Sequence, residues 1–366
     1  MRILIIGAGI FGTSVATILS EKNNQVDLIE AESDIMQLAS RVNHNRIHLG
    51  YHYLRSIQTA EQSIEGLLSF LFNYGKAVIH QLPNYYAIAK DGSKTTPAEF
   101  GRFCDNVGIG YDNIFPDAKF LNRDVIQECF RVPEPVWDYQ RLKKIILASL
   151  KKAKVNLLLN TECTQLKQLA DTTFEATFNN GIKQYDVVIN TTYTNMNRVN
   201  SYLGVEPKKL LFENVLIPVF KYPSSALGLT VMDGPFCSVM PRGNVKNEFL
   251  LYHVKQSIIE SQIAINKPHY EGVRNTPADL KIEENIYAQS AQFMPFLNKS
   301  EHLKYDKTIR VVYENDDDAR ITELFTYPGV KNYFAVLSGK VTTCIQVALE
   351  IKHILKGKEK IKRPKI

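Results

Sequence analysis

The sequence predicts an α/β fold: a Rossmann-like domain assembled from separated stretches of chain, with a second, mostly antiparallel β-sheet between them. Three observations predict it. A β-branched run, Arg2-Ile-Leu-Ile-Ile6, is followed by glycines at 7, 9 and 12 and then by a helical pattern. Apolar strands of the same kind return only near Asp186 and Tyr333. Between about 211 and 305, apolar and polar residues alternate with period two, as in Val215-Leu-Ile-Pro-Val-Phe-Lys221, Phe236-Cys-Ser-Val-Met240 and Glu248-Phe-Leu-Leu-Tyr-His-Val254.

The first strand is continuous in apolar residues, as expected of a parallel strand buried on both faces. Gly7, Gly9 and Gly12 keep GxGxxG spacing, and Val15, Ala16, Ile18 and Leu19 then mark a helix over 13–20. A second strand, Val26-Asp-Leu-Ile29, ends at Glu30. Gly7 permits the tight turn, Gly9 lets backbone N–H groups approach a pyrophosphate, and Gly12 lets helix and strand pack closely. The helix N-terminus faces the phosphate charge. Glu30 can accept both hydroxyls of an adenosine ribose and would repel a 2′-phosphate. Strand, turn, helix and acid together point to an adenine dinucleotide, either NAD or FAD.

Further along, residues 80–140 hold the aromatic run Asn84-Tyr-Tyr-Ala-Ile-Ala89, a turn at Asp91-Gly92, and Pro133 and Pro135. Leu142, Ile145, Ile146, Ala148 and Ser149 predict a helix over 139–152 leading back to the first domain. The expected division is 1–80, 141–210 and 306–366 for the dinucleotide domain, and 81–140 with 211–305 for a substrate domain.

At 366 residues and 45% hydrophobic, the chain can bury a large core. From Lys352 to Ile366 seven basic residues stand against Glu359 alone, which accounts for the whole net charge of +6. The body is therefore near neutral, which argues against nucleic acid. The tail reads as a solvated end, with a weak contact to anionic lipid as the second reading. Asp316-Asp-Asp318 reads as a solvated acidic turn. Five scattered cysteines without CxxC spacing predict reduced thiols and no metal site. No run approaches the roughly 18 apolar residues of a membrane helix, and Ile3–Ile6 is too short for a signal segment. A soluble, cytoplasmic protein is expected.

The stretch Ala39-Ser-Arg-Val-Asn-His-Asn-Arg-Ile-His-Leu-Gly-Tyr-His-Tyr53 chooses between the cofactors. Its Ser40, Asn43, Ile47, His48, Gly50 and Tyr53 resemble the S-x-x-N-x-x-x-I-H-x-G-x-x-Y pattern of FAD-dependent oxidoreductases of the D-amino-acid oxidase superfamily, nearest to its glycine oxidase, 2-hydroxyglutarate and glycerol-3-phosphate dehydrogenase branches. Tyr185–Thr192 resembles that family's third FAD strand, although Tyr193 stands where a glycine is expected. Asn332–Gly339 with Lys340–Ala348 resembles its closing strand, glycine and helix. The resemblance implies FAD as cofactor. It places Arg41, Asn43, His44 and Asn45 beside the flavin ring, and Phe11, Cys163, Thr191, Thr192, Gly339, Lys340, Val341 and Thr342 along the cofactor. The closing helix would point its N-terminus at the flavin pyrimidine, where it and Lys340 would stabilise the charge of the reduced ring.

What the resemblance implies for chemistry is oxidation of a small α-amino or α-hydroxy acid, with hydride passing from the substrate Cα to flavin N5. For an alcohol the protein must also take the hydroxyl proton, a task that suits histidine. His48 is the first candidate, with a structural histidine near the flavin as the alternative; His253 is the second. If the loop is extended, His44, His48 and His52 share a face. A carboxylate substrate calls for a guanidinium. Arg310 resembles the arginine that holds it in amine and amino-acid oxidases, with Arg320 as substitute and Tyr53 and Tyr252 as hydroxyl donors. Arg46 would sit over the ring or in a surface ion pair. Two alternatives stand beside this reading: a biosynthetic flavin enzyme acting on a nucleotide-linked or carrier-bound substrate, and a flavin-binding protein without turnover. The electron acceptor stays open.

Overall fold

The computed structural model describes residues 1–169, 173–270, 276–314 and 320–357. The acidic triplet 316–318 and the tail from 358 onward lie outside them. Seven α-helices are described: α1 (Ile10–Leu19), α2 (Ile57–Tyr74), α3 (Pro97–Val107), α4 (Tyr139–Lys152), α5 (Met196–Ser201), α6 (Pro277–Ala291) and α7 (Cys344–Leu355).

The N-terminal strand Arg2–Ile6 lies inside a six-stranded sheet. The order is Glu323–Tyr327, Val330–Leu337, Val187–Asn190, Arg2–Ile6, Gln25–Ile29, Asn156–Leu158. All pairings are parallel except that of the edge strand Glu323–Tyr327. Alternation of side chains explains why the first strand is apolar from Ile3 to Ile6. Ile3 and Ile5 enter the core with α1, α4 and α7. Leu4 and Ile6 enter a second core, against α5 and a three-stranded antiparallel sheet (Cys163–Gln168, Phe174–Phe178, Gly181–Tyr185). Both faces are covered from Ile3 to Ile6, and only Arg2 at the strand's start is exposed.

Helix α1 starts at Ile10, three residues before the expected Thr13, because Gly12 belongs to its first turn. A Cβ at Gly12 would lie 1.9 Å from the Gly7 carbonyl oxygen and 2.7 Å from Thr191 Oγ1. Only glycine permits helix, first strand and third strand to meet there.

The second large sheet has nine strands and is antiparallel except where Gly228–Met232 runs parallel to Asn84–Ala89. Its long strand Leu210–Lys221 is flanked along its length by Glu301–Val312 and, on the other edge, by Ile258–Ala264 and Glu248–His253. One face buries Phe220, Val239, Phe249 and Leu251 near Ile286 of α6. The other face packs Val215, Ile217, Val219 and Leu250 against Val42 of the histidine-rich loop. The second sheet thus roofs that loop.

One expected boundary is corrected. The strand Glu301–Val312 crosses the division expected between 305 and 306, because its pairing with Leu210–Lys221 holds register from Lys221↔Glu301 to Leu211↔Val312. The chain leaves this sheet only after Val312. No helix among the described residues is long and apolar enough to cross a membrane.

Candidate active site

The glycine turn is held from three directions. Gly7 has φ +98°, its N–H donates to Ile29 O (2.9 Å), and a Cβ there would fall 2.9 Å from Thr191 O. Thr191 Oγ1 donates to Ile6 O and Gly7 O, both at 2.9 Å. Gly9 differs: its φ of −68° suits any residue, and a Cβ would meet only Ser40 Oγ, at 3.3 Å. The chain's own packing makes little demand for glycine there. A ligand lying over the helix start would supply the demand. Ser40 Oγ accepts the Ile10 N–H (3.1 Å), tying the histidine-rich loop to that start. Glu30 accepts the N–H groups of Ala8 (2.8 Å) and Glu32 (3.0 Å), which fixes its carboxylate beside the turn. Burial raises its pKa against those two bonds.

The histidine-rich loop is not extended; it is a succession of turns with a single β-bridge at Arg46. Asn43 shapes it, donating to Ala39 O and Ser40 O and accepting the Asn45 N–H. Asn45 is buried at φ +55°, and its carbonyl accepts the Trp137 N–H. The three histidines therefore do not form one face. His44 turns to the roof, where Nδ1 meets Ser238 Oγ (3.2 Å) and its ring meets Tyr252 edge-on. His48 and His52 both meet the ring of Tyr53. Arg41 reaches Asp306 of the roof at 3.7 Å.

Beneath the roof lies a charged network that the sequence did not announce. Arg46 is neither over an open ring site nor in a surface ion pair: it is 6% exposed. It donates to Tyr86 Oη (2.6 Å) and Thr230 Oγ1 (2.7 Å) and pairs with Glu134 at 3.6 Å. Glu134, 1% exposed, accepts Tyr86 O–H (2.7 Å) and the Leu49 N–H (3.0 Å). His48 Nδ1 lies 3.7 Å from Glu134 Oε1 and makes no hydrogen bond. Burial, then the charges of Lys340 and Arg46, hold the His48 pKa well below its usual value. The shift favours the neutral imidazole. Burial and Arg46 lower His44 to about 3. Glu134 and Tyr86 were missed because nothing local marks them; the one available signal is a carboxylate locked between Pro133 and Pro135.

The closing segment brings Lys340 to the same place. Its ammonium lies 4.1 Å from the centroid of the Tyr53 ring, and burial, then Arg46, lowers its pKa well below normal. Thr322 Oγ1 accepts the N–H groups of both Gly339 and Lys340. A Cβ at Gly339 would lie 2.0 Å from Arg320 O, so glycine is required. Val341 and Thr342 form the single turn that leads into α7. Thr342 Oγ1 is buried without a partner.

The remaining candidates divide. Arg310 stands opposite Glu213 in the roof sheet; its Nε donates to Glu213 Oε2 (2.6 Å) and its guanidinium lies 5.7 Å from the Tyr252 ring centroid. His253 is a correction. It pairs with Cys237, one residue out of phase with the pair Ser238 and Tyr252, so it faces the opposite side of the sheet. Its Nδ1 accepts the N–H groups of Lys255 and Gln256, closing its own turn. It has no role at the histidine loop. Phe11, in α1, and Cys163, at the start of the strand Cys163–Gln168, are buried core side chains.

A phosphate-binding turn, an acid at the second strand, a polar loop and a helix start, all under a sheet that offers a guanidinium and a phenol, define the class: a flavin-dependent oxidoreductase. The family model described as FAD dependent oxidoreductase (DAO) matches residues 2–337. The chain belongs to that family, and FAD is its cofactor. Among curated relatives, the FAD-dependent monooxygenase kojA of Aspergillus flavus is 24% identical over 372 aligned positions, covering 96% of this chain and 85% of its own. The FAD-dependent monooxygenase FPY4 of Fusarium mangiferae is 25% identical over 237 residues; the match covers 65% of this chain and 60% of FPY4. Among solved structures, glycine oxidase from Geobacillus kaustophilus superposes with a TM-score of 0.78 at 13% identity, covering 98% of this chain and 95% of its own. L-α-glycerophosphate oxidase from Mycoplasma pneumoniae, with FAD bound, gives 0.76 at 17%, covering 99% and 96%.

The residues fit FAD on their own terms. Gly9 leaves the helix start open to a pyrophosphate, the fixed Glu30 carboxylate would take ribose hydroxyls, and the partnerless Thr342 hydroxyl would be free to bond the flavin.

Proposed function

We propose that the protein oxidises a small α-amino or α-hydroxy acid, with residues 1–80, 141–210 and 313–357 holding FAD and the roof sheet holding the substrate. When bound, FAD supplies an N5 that accepts hydride from the substrate Cα. Arg310 binds the substrate carboxylate, and Glu213 fixes the direction of its guanidinium through Nε. His48, neutral and partly accessible, takes the proton of the substrate hydroxyl or amine. Lys340 and the start of α7 favour negative charge at the flavin.

The observation that carries this reading is a run of contacts from the roof to the histidine-rich loop. The Arg310 guanidinium lies on Tyr252, Tyr252 meets His44, and His44 belongs to the loop that presents His48. The carboxylate-binding candidate on the roof thus touches, through Tyr252 and His44, the loop that carries the proton-accepting candidate, although His44 and His48 turn to different neighbours. Five free, buried cysteines suit a cytoplasmic location, which belongs to the same proposal. Anaerobic mixing of the yellow protein with glycine, sarcosine, D-amino acids and 2-hydroxy acids tests it. Bleaching by one of these classes is expected, and no bleaching by any of them overturns the reading. The existing pair between Arg310 and Glu213 favours a second reading, because a guanidinium already neutralised holds a carboxylate less strongly. That reading is a biosynthetic flavin enzyme with a larger, carrier-bound substrate, and it fits relatives named as monooxygenases.

A further inference from the structure

Tyr193 follows the third strand of the dinucleotide sheet, where the family resemblance leads one to expect glycine. Its backbone keeps the conformation a glycine would supply, with φ +54°. A tyrosine is strained there, so its side chain must bring something a glycine lacks. That something is a hydroxyl that accepts the Val311 N–H (2.8 Å) and donates to the Val311 carbonyl (3.1 Å). Both backbone groups of Val311 point to the side of the strand Glu301–Val312 that faces away from Leu210–Lys221. An edge residue that would otherwise need water is closed by one phenol. The residue before Val311 is Arg310.

The other end of this contact is equally fixed. Thr191 N–H and Oγ1 bind Ile6 O, and the same Oγ1 binds Gly7 O. Thr192 Oγ1 donates to Asn190 Oδ1 at 2.7 Å. One residue, Thr192, separates the wall of the glycine turn at Thr191 from Tyr193, and the Tyr193 hydroxyl's partner, Val311, is adjacent to Arg310. Arg310 is also held laterally by Glu213 on the neighbouring strand.

We infer that Tyr193 is a positioning residue: it clasps the strand carrying Arg310 to the cofactor turn and so sets where a substrate carboxylate sits relative to the flavin. The inference rests on the reading of Arg310 as carboxylate binder. Glycine at 193 would keep the chain path but leave the strand free to shift along its edge.

Tyr193→Phe removes the hydroxyl alone and tests it in the FAD-loaded protein. Two measurements are needed. The first is hydrogen exchange of the peptide containing Val311, which should speed up about tenfold, the loss of one hydrogen bond. The second is a titration with sodium benzoate as carboxylate probe, read from the flavin absorbance. Its Kd should rise about tenfold, while FAD content stays at the wild-type value and Tm falls by no more than about 2 °C, a selectivity that a merely structural role would not show. Arg310→Met is the control. Unchanged exchange in Tyr193→Phe overturns the clasp. Faster exchange with unchanged benzoate affinity, where Arg310→Met does weaken benzoate, overturns positioning but leaves the Arg310 reading intact. Benzoate binding that is absent in wild type, or indifferent to Arg310→Met, overturns the Arg310 reading, and the inference falls with it.

Discussion

Replacing Glu134 offers the sharpest test of the buried network. Glu134→Leu removes the carboxylate paired with the Arg46 guanidinium, the only one among the described residues, and leaves that cation 6% exposed. It also takes the acceptor from Leu49 N–H and Tyr86 O–H. Breaking a buried pair on one side costs about 3–5 kcal/mol, and the orphaned Leu49 N–H adds about 1 kcal/mol or more. Arg46 keeps Tyr86 Oη and Thr230 Oγ1, which holds the total near 4–5 kcal/mol. An unfolding entropy of roughly 2.1 cal/mol/K per residue over this chain comes to about 0.8 kcal/mol/K, so Tm should fall by about 5–6 °C. Glu134→Gln keeps one acceptor and should lose about half as much. The double variant Arg46→Leu, Glu134→Leu removes both charges and should be more stable than Glu134→Leu alone. Differential scanning fluorimetry at one fixed, saturating FAD concentration measures all three, because ligand occupancy itself shifts Tm. A Glu134→Leu protein melting within about 1 °C of wild type, or a double variant less stable than the single, would refute the assignment of a buried ion pair.

The other predictions concern the cofactor, the base and pH. Gly9→Val should fold and stay colourless, since a Cβ meets only Ser40 Oγ at 3.3 Å, whereas Gly12→Ala should fail to fold, with its Cβ 1.9 Å from Gly7 O; circular dichroism with the visible spectrum separates the two. His48→Ala should keep its yellow colour and slow substrate reduction by about 10²–10⁴-fold; stopped-flow bleaching at wild-type speed at every pH would remove His48 from the role. Burial lowers His253 to about 4 and, with the Arg46 charge, His44 to about 3, so the folded protein takes up these protons later than the unfolded chain. Their contribution is complete above the model-peptide value of 6.5 and is lost as pH falls towards 4, by at most about 1.4 kcal/mol per pH unit for each, and by less for the partly solvated His44. Urea midpoints flat between pH 6.5 and 4 would contradict this.

The parts legible in the sequence are those whose cause is local. The first strand, the glycine turn and Glu30 fall within thirty residues, so their spacing carries the geometry. Parity alone could have dismissed His253: it is one residue from Tyr252 on a strand, and adjacent strand residues face opposite sides. Glu213 was invisible because it reaches Arg310 only through a register between strands 97 residues apart. The strand Glu301–Val312 begins Glu-His-Leu-Lys, polar and exposed, because as an edge strand it needs no apolar face there. Tyr193 showed as a departure from glycine, yet its partner, Val311, lies 118 residues on.

The proton affinities around the loop share one origin. Lys340, His44 and His48 are each depressed by burial and by the Arg46 charge. Glu134 is the carboxylate that meets Arg46, and its oxygens are already engaged by Tyr86 and the Leu49 amide. Its charge faces Arg46, while burial remains the first cause of the lowered His48 and Lys340 values, followed by neighbouring positive charges. A negative charge entering beside them, from a reduced flavin or a carboxylate, acts on all three groups in the same sense and raises every one of their proton affinities. Binding of an anion and uptake of a proton at this loop are thus coupled by the placement of a single buried arginine.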